Sequence, residues 1–384
     1  MPAGRRVALL IETSSSYGRE LLRGIIRYMR AHEEWSVFLE ERALNSELPT
    51  WLADWHGDGI ISRTITRWLA DSVARAGTPL VNLIDREQLA GIPSVSSDQE
   101  AIGRLGAEHL LERGYERFAF CGFAGEGWSD GRLAGFLASL RERGHTAVLH
   151  ESVWKGSEAP AWDEEQQAIG RWVDSLETPC GIMACNDIRA QQVLDACRIR
   201  EIAVPDSIAV IGVDNDELLC QLSSPPLSSV IPNTEEIGYL AADLLARMMN
   251  GEEVARAEVR VAPVGVATRL STDSVAIEDI EMAAAVRYIR ENACRGISVR
   301  EVLKQVPVSR SALERGFRKH LGRSPQQEIR NVQIKRCETL LKETDLPMDR
   351  IASMCGFQHP EYMHVVFKRE RGITPGQFRR TADE

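Results

Sequence analysis

The amino-acid sequence predicts an α/β body built on parallel sheets, followed by an all-α segment. Three observations lead there. Up to about residue 270, short apolar strands alternate with amphipathic helical stretches, the pattern of βαβ units. Beyond residue 280, apolar residues recur at spacings of three and four with no strand pattern. The charge divides at the same place: residues 280–384 hold 20 Lys and Arg against 13 Asp and Glu, and the remainder holds 26 against 43. A basic segment on a strongly acidic body predicts a polyanion as the partner of that segment.

The elements follow in order. RVALLIE (6–12) is a β-branched apolar run and the first strand. The stretch 17–32 sets Leu21, Leu22, Ile25, Ile26 and Met29 on one helical face. WSVFLE (35–40), GDGIIS (57–62) and TPLVNLI (78–84) read as strands, and 101–114 as a helix. RFAFCGF (117–123), CGIMACN (180–186) and IAVIGVD (208–214) are further strands, separated by helices at 130–144, 166–177 and 188–201.

Bulk properties narrow the function. The chain has 384 residues and a formal charge of −10, enough for two or three domains with their own cores. No apolar run approaches the ~18 residues of a membrane span, so no membrane partner is expected. The opening apolar run VALLI is too short for a signal-peptide core and lacks a small-residue cleavage site, which predicts a cytoplasmic protein. The eight cysteines are scattered without C-x-x-C spacing and are expected to be reduced core residues.

In a parallel α/β sheet, ligands sit beyond the carboxyl ends of the strands. The residues there are polar: Thr13 to Arg19, including Tyr17, after the first strand; Glu126 to Arg132, including Trp128, after RFAFCGF; Asn186, Asp187 and Arg189 after GIMAC; Asp214 to Asp216 after IAVIGV. Carboxylates, Asn, Arg and Trp on one rim suit a sugar, which needs paired donors and acceptors and an aromatic face. Arg132 and Asp214 stand out, because a charge placed after a buried strand needs a partner or a ligand. Structural alternatives stand beside these readings. Asp98 and Asp187 could cap the helices that follow them, Asp216 could be solvated, and Trp154 and Trp162 could be core packing. The stretch Gly125 to Gly131 resembles a dinucleotide-binding loop in its glycines only, since Glu126 and Trp128 occupy the path of a pyrophosphate. No nucleophile elbow or phosphate-binding loop is present, and His359 and His364 are five apart rather than the four of a zinc-binding helix face. Neither an enzyme, a metal nor a cofactor is expected.

After a small, polar linker at 271–279 the segment turns helical. IEMAAAVRYIRENACR is one helix, and SVREVLKQV opens with Ser298 and Glu301, a capping box. Past a turn at Pro307, SRSALERGFRKHLG points Leu313 and Phe317 inward and leaves Arg310, Ser311, Glu314, Arg315 and Arg318 outward. A short helix, a turn and a basic second helix make a helix-turn-helix. A connecting helix starting at Pro325 leads to a second such unit, so the two occupy about 298–320 and 347–371. In the last helix Tyr362, Val366 and Phe367 are expected in the core, with His359, Glu361, His364, Val365, Lys368 and Arg369 outward.

Two resemblances add to this reading. SVSSDQEAIGRLGAEHLLERGYERFAFCG, DGRLAGF, MACNDIRA, VPDSIAVIGVDN and PPLSSVIPNTEEIGYLAADLL resemble, in order, the LacI/GalR effector domain. That implies the periplasmic-binding-protein fold over 1–270, two lobes with crossings near 98, 227 and 264. It also implies sugar contacts from Arg132, Asn186 and Asp214, with Asp98 beside the first crossing and Trp154 stacked on the ring. Gly356-Phe357, Tyr362, Phe367-Lys368, Gly372-Ile373-Thr374-Pro375 and Phe378-Arg379 resemble the AraC/XylS signature over 280–384, except that Met363 stands where a second aromatic is usual. The two families joined in one chain are similar to the xylose-responsive regulators. What this implies is a transcriptional activator with a small sugar effector (xylose or a relative), a double-stranded DNA operator, a homodimer and contact with RNA polymerase. Base reading would fall to Arg310, Ser311, Glu314, His359, Glu361 and His364, and phosphate contact to Arg315, Arg318, Lys368 and Arg369.

Overall fold

The chain divides into two units, Met1–Ser274 and Val275–Glu384. The computed structural model describes residues 4–43, 46–64, 66–84, 92–154, 159–252, 254, 258–273 and 279–382. Residues 274–278 of the predicted linker lie outside the described residues.

The first unit alternates strand and helix from its start: β1 (Arg5–Leu10), α1 (Ser16–Ala31), β2 (Trp35–Leu39), β3 (Gly59–Ser62), α2 (Arg67–Ala76), β4 (Leu80–Asn82) and β5 (Ser94–Ser97). Then come α3 (Gln99–Leu111), β6 (Arg117–Phe123), α4 (Gly127–Glu142), β7 (Ala147–Ser152), α5 (Trp162–Asp174), β8 (Cys180–Ala184), α6 (Asp187–Ile199) and β9 (Ile208–Val213). It closes with α7 (Glu217–Leu222), β10 (Ser228–Ile231), α8 (Thr234–Met249), β11 (Glu258–Val261) and β12 (Gly265–Ala267).

These strands form two six-stranded sheets, ordered β11-β5-β4-β3-β1-β2 and β12-β10-β9-β8-β6-β7. The pairings are parallel except for β12, which runs antiparallel to β10. The chain passes from one sheet to the other after Ser97, after Ile231 and between Val261 and Gly265. The middle passage therefore comes a few residues beyond 227, because β10 still pairs with β9. The central strands are buried on both faces, as in β8 and β9, which is why they read as continuous apolar runs. Each lobe has one close helix pair that depends on glycine. A Cβ on Gly238 of α8 would lie 2.0 Å from the Leu21 carbonyl oxygen of α1, and one on Gly103 of α3 would lie 1.9 Å from that of Arg132 in α4.

The start of the predicted linker differs from expectation. Leu270–Thr272 is a 3₁₀ turn, and Ser271 and Thr272 are fully buried in the first unit, so polarity there reflects internal hydrogen bonding rather than solvent.

The second unit is helical: α9 (Ile280–Asn292), α10 (Val299–Val302), α11 (Arg310–Leu321), α12 (Pro325–Glu343), α13 (Met348–Met354), α14 (Pro360–Arg371) and α15 (Pro375–Ala382). The capping box at Ser298 forms, with Glu301 Oε2 accepting from the Ser298 N–H at 2.8 Å. There are two cores. One gathers Val286, Ile289, Val302, Leu313 and Phe317, and the other gathers Ile334, Leu341, Ile351, Met363, Val366 and Phe367. Among the described residues no helix is long and apolar enough to cross a membrane.

Candidate ligand cleft and nucleic-acid interface

The strand ends of the two lobes face each other across a cavity of about 480 Å³, lined among others by Tyr17, Arg19, Asp214, Glu217, Asn233 and Val264. Asp214 follows β9 directly. Its backbone has φ +104° and that of Asn215 +49°, a region that side chains other than glycine rarely adopt. This turn brings the Asp214 carboxylate to Arg132 Nη2 at 3.1 Å, and leaves 23% of its side chain open to solvent. Burial pushes the Asp214 carboxyl up, and the guanidinium charges of Arg132 and, from the other lobe, Arg63 oppose that push.

Arg132 is buried and held through each of its three nitrogens. Its Nε donates to Gln99 Oε1 at 2.8 Å and its Nη1 to the Cys185 carbonyl, while its guanidinium lies 5.2 Å from the Trp128 ring. Trp128 packs edge-on to Trp154 with ring centroids 5.5 Å apart, and Phe123 contacts both. Trp162 is exposed and takes no part in a core. Asp98 caps α3, accepting from the Ala101 N–H at 2.9 Å. Its neighbour Ser97 meets the Tyr17 hydroxyl across 2.9 Å. Asn186 caps α6 by accepting from the Arg189 N–H at 2.8 Å, so the cap is Asn186 and not Asp187.

Asp187 turns inward from that cap. Its carboxylate accepts from Ser229 Oγ at 2.6 Å and from the Asp216 N–H at 2.7 Å. Burial, with the charge of Asp214 added, pushes its carboxyl up from 3.8 to about 8. A carboxyl raised in the folded state contributes its full stability below its ordinary value, and that contribution is lost as pH rises through the folded value. The melting temperature of the first unit should therefore fall between about pH 4 and pH 8, and Asp187→Asn should flatten the fall. An unchanged slope in that variant would exclude Asp187 as its source.

Further charged groups at the strand ends carry no sequence signal as strong as that of Arg132 and Asp214. Arg63, just after β3, ion-pairs with the buried Glu12 and stacks 4.4 Å from the Tyr17 ring. Arg189 is fully buried, ion-paired to Glu165 at 2.6 Å, and lies 4.4 Å from the Phe123 ring. Burial opposes ionisation of Glu165, yet the hydrogen bond from His150 and the charge of Arg189 hold its carboxyl at about 2. Arg63 and Glu12 both stand just past a strand end, so inspecting every strand end would have found them.

In the helical unit, α11 exposes Arg310, Ser311, Arg315 and Arg318, with Glu314 half-buried. α14 begins at the exposed N-cap His359 and exposes Glu361, Lys368 and Arg369, with His364 half-buried. Arg369 is paired to Glu370 at 3.0 Å. Tyr362 corrects an expectation. It is 48% exposed, with Arg330 at 5.0 Å from its ring, and Met363 is fully buried in the core instead. The helix starts at Pro360, so positions 363, 366 and 367 share the inward face and 362 falls at its edge. α12 separates the two helix-turn-helix units with 19 residues, about 28 Å of helix. Among the described residues no cluster of His, Cys, Asp and Glu could hold a metal ion.

Known proteins share this arrangement. Residues 6–92 match the XylR N-terminal domain, 107–272 the periplasmic binding protein-like domain and 302–381 a helix-turn-helix domain. The xylose operon regulatory protein of Escherichia coli (strain K12) is 33% identical over 384 residues, covering 97% of this chain and 96% of that protein. That of Haemophilus influenzae is 33% identical over 390 residues, covering 97% and 98%. A solved structure of the xylose-binding transcription activator xylR is similar with a TM-score of 0.81 at 31% identity, covering 99% of both chains. These relatives are regulators of transcription and not enzymes.

Proposed function

The chain belongs to the family of xylose operon regulatory proteins, and on that premise we propose that it is a xylose-responsive transcriptional activator acting in the cytoplasm. Its first unit binds the sugar between the lobes, and its second binds double-stranded DNA. One observation carries the sensor reading: Asp214, paired to the buried Arg132, lines a cavity of about 480 Å³ between strand ends, within the ~300–1,000 Å³ of small-molecule sites. Tyr17, Asp98, Trp128, Trp154, Asn186 and Asp187 are proposed around it. Of these, Tyr17 lines the cavity and the other five are not among its lining residues; the tryptophans would supply an aromatic face, and Asp98 and Asn186 cap α3 and α6.

On the DNA side, α11 and α14 are proposed as the two recognition helices. A spacer of about 28 Å suits major grooves that recur every ~34 Å. Arg310, Ser311, Glu314, His359, Glu361 and His364 would read bases, and Arg315, Arg318, Lys368 and Arg369 would hold phosphates, which makes binding salt-dependent. Two protomers on paired half-sites, recruiting RNA polymerase, complete the reading.

The test is thermal unfolding with a panel of pentoses, hexoses, a sugar phosphate and a nucleotide. D-xylose at a hundred times its dissociation constant should stabilise the protein by about 2.7 kcal/mol. A shift with a different sugar would keep the mechanism and change the effector. No shift with any compound would sink the cleft assignment.

A further inference from the structure

The 3₁₀ turn Leu270–Thr272, from which the chain departs toward the helical unit, is held on several sides. Ser271 Oγ donates to the Val210 carbonyl at 2.6 Å and accepts from the Ser228 N–H at 2.8 Å. Thr272 Oγ1 meets Ser228 Oγ and His109 Nε2, each at 2.7 Å, and Arg113 Nε donates to the Thr272 carbonyl at 2.7 Å. The turn is thus locked to β9, β10 and α3.

One residue earlier, Arg269 reaches back toward the cleft. Its own backbone is fixed, with its N–H donating to Ser228 Oγ at 2.7 Å and its carbonyl accepting from the same hydroxyl at 2.9 Å. Its Nη1 donates to the Leu227 carbonyl at 3.0 Å and its Nη2 to Asn215 Oδ1 at 2.9 Å. Asn215 adjoins Asp214, and both hold positive φ. The Asn215 N–H is itself held by Ser229 Oγ at 2.9 Å. Asn215 lines the cavity beside Asp214, so a ligand that displaces this short turn displaces Asn215 Oδ1 with it. The planar guanidinium fork makes the link geometric, because its two donors hold Asn215 and the β10 edge in one register.

We infer that Arg269 is a positioning residue that transmits the state of the Asp214 loop to the turn from which the DNA-binding unit departs. This rests on reading Asp214 as a sugar ligand, and it gives the regulation a defined contact. Arg269 is not among the residues that line the cavity, so it acts through Asn215 rather than on the sugar.

The experiment titrates the full chain onto a duplex that the protein itself has selected from a random pool, with and without D-xylose. A coupling between two ligands is the ratio of these affinities. In Arg269→Gln, xylose should still raise the melting temperature and DNA affinity without xylose should stay within about twofold of wild type, while the xylose-induced change in affinity shrinks to less than about twofold. Arg269→Lys should lose coupling in the same way, since one ammonium cannot reproduce the fork, and it carries the test if the glutamine variant does not fold. Asn215→Asp keeps the acceptor oxygen and should keep the coupling. Full coupling in the Arg269 variants, or loss of it in an Asn215→Asp protein whose melting temperature xylose still raises, would overturn the inference. So would an Arg269 variant that no longer binds xylose, because Arg269 would then be supporting the site itself. A wild-type protein indifferent to xylose would instead sink the regulatory reading on which the inference rests.

Discussion

Asp214→Asn should weaken xylose binding by about 100-fold or more, because a carboxylate that accepts two sugar hydroxyls contributes ~1.5–3 kcal/mol through each charge-assisted bond. The variant isolates the charge. Asn tolerates positive φ better than most residues, so the +104° backbone at this position is retained. Arg132 keeps its bonds to Gln99 and Cys185, and so the lobe should stay folded. Calorimetric titration with D-xylose reads the affinity directly, and DNA titration without sugar checks the other unit, which should be unaffected. Binding within threefold of wild type would remove Asp214 from the site.

The second large effect is expected where the two helix-turn-helix units meet. Gly356 ends α13 at φ +75°, and a Cβ there would stand 2.6 Å from the Gly296 nitrogen, 2.8 Å from the Ala293 oxygen and 2.8 Å from the Cys294 carbonyl carbon. All three are backbone atoms and cannot swing aside. Gln333 of α12 clips the same junction, its Nε2 donating to the Ala293 carbonyl at 3.0 Å and the Gly356 carbonyl at 3.2 Å. Gly356→Ala adds a left-handed backbone cost of ~1–2 kcal/mol to a displacement of the junction worth ~1–3 kcal/mol. The second unit should lose about 2–5 kcal/mol of stability. DNA affinity should fall more than tenfold while xylose binding stays unchanged. Gly322 is the control: it has φ +67°, but a Cβ there would have no neighbour within 4 Å. Gly322→Ala should cost only the backbone portion. If Gly356→Ala binds DNA as the wild type does, the rigid junction is not what spaces the two recognition helices.

Much of this was legible in one sequence because it is local. Continuous apolar runs placed the buried strands, and the 3.6-residue period placed the amphipathic helices. The strand ends pointed to Tyr17, Arg19 and Asp214 to Asp216, which line the cavity. Other elements carried no such pattern. β7 is a half-exposed edge strand, β5 is SVSS, and β12 has three residues, so none shows the long apolar run by which a buried strand is read. The face of α14 turned on a helix start at Pro360, and a shift of one position exchanged Tyr362 for Met363 in the core.

By itself the sequence determined the alternation of strand and helix, the parallel α/β class, the two helix-turn-helix units and the capping box at Ser298, because each depends on neighbours within a few residues. Only the tertiary structure decided that Arg132 pairs with Asp214 across 82 positions, that Asp187 turns inward to Ser229, that Arg63 pairs with Glu12, and that Arg269 reaches Asn215. Those are contacts between segments far apart in the chain, and a buried charge finds its partner only when the lobes have packed and water has been excluded from around it.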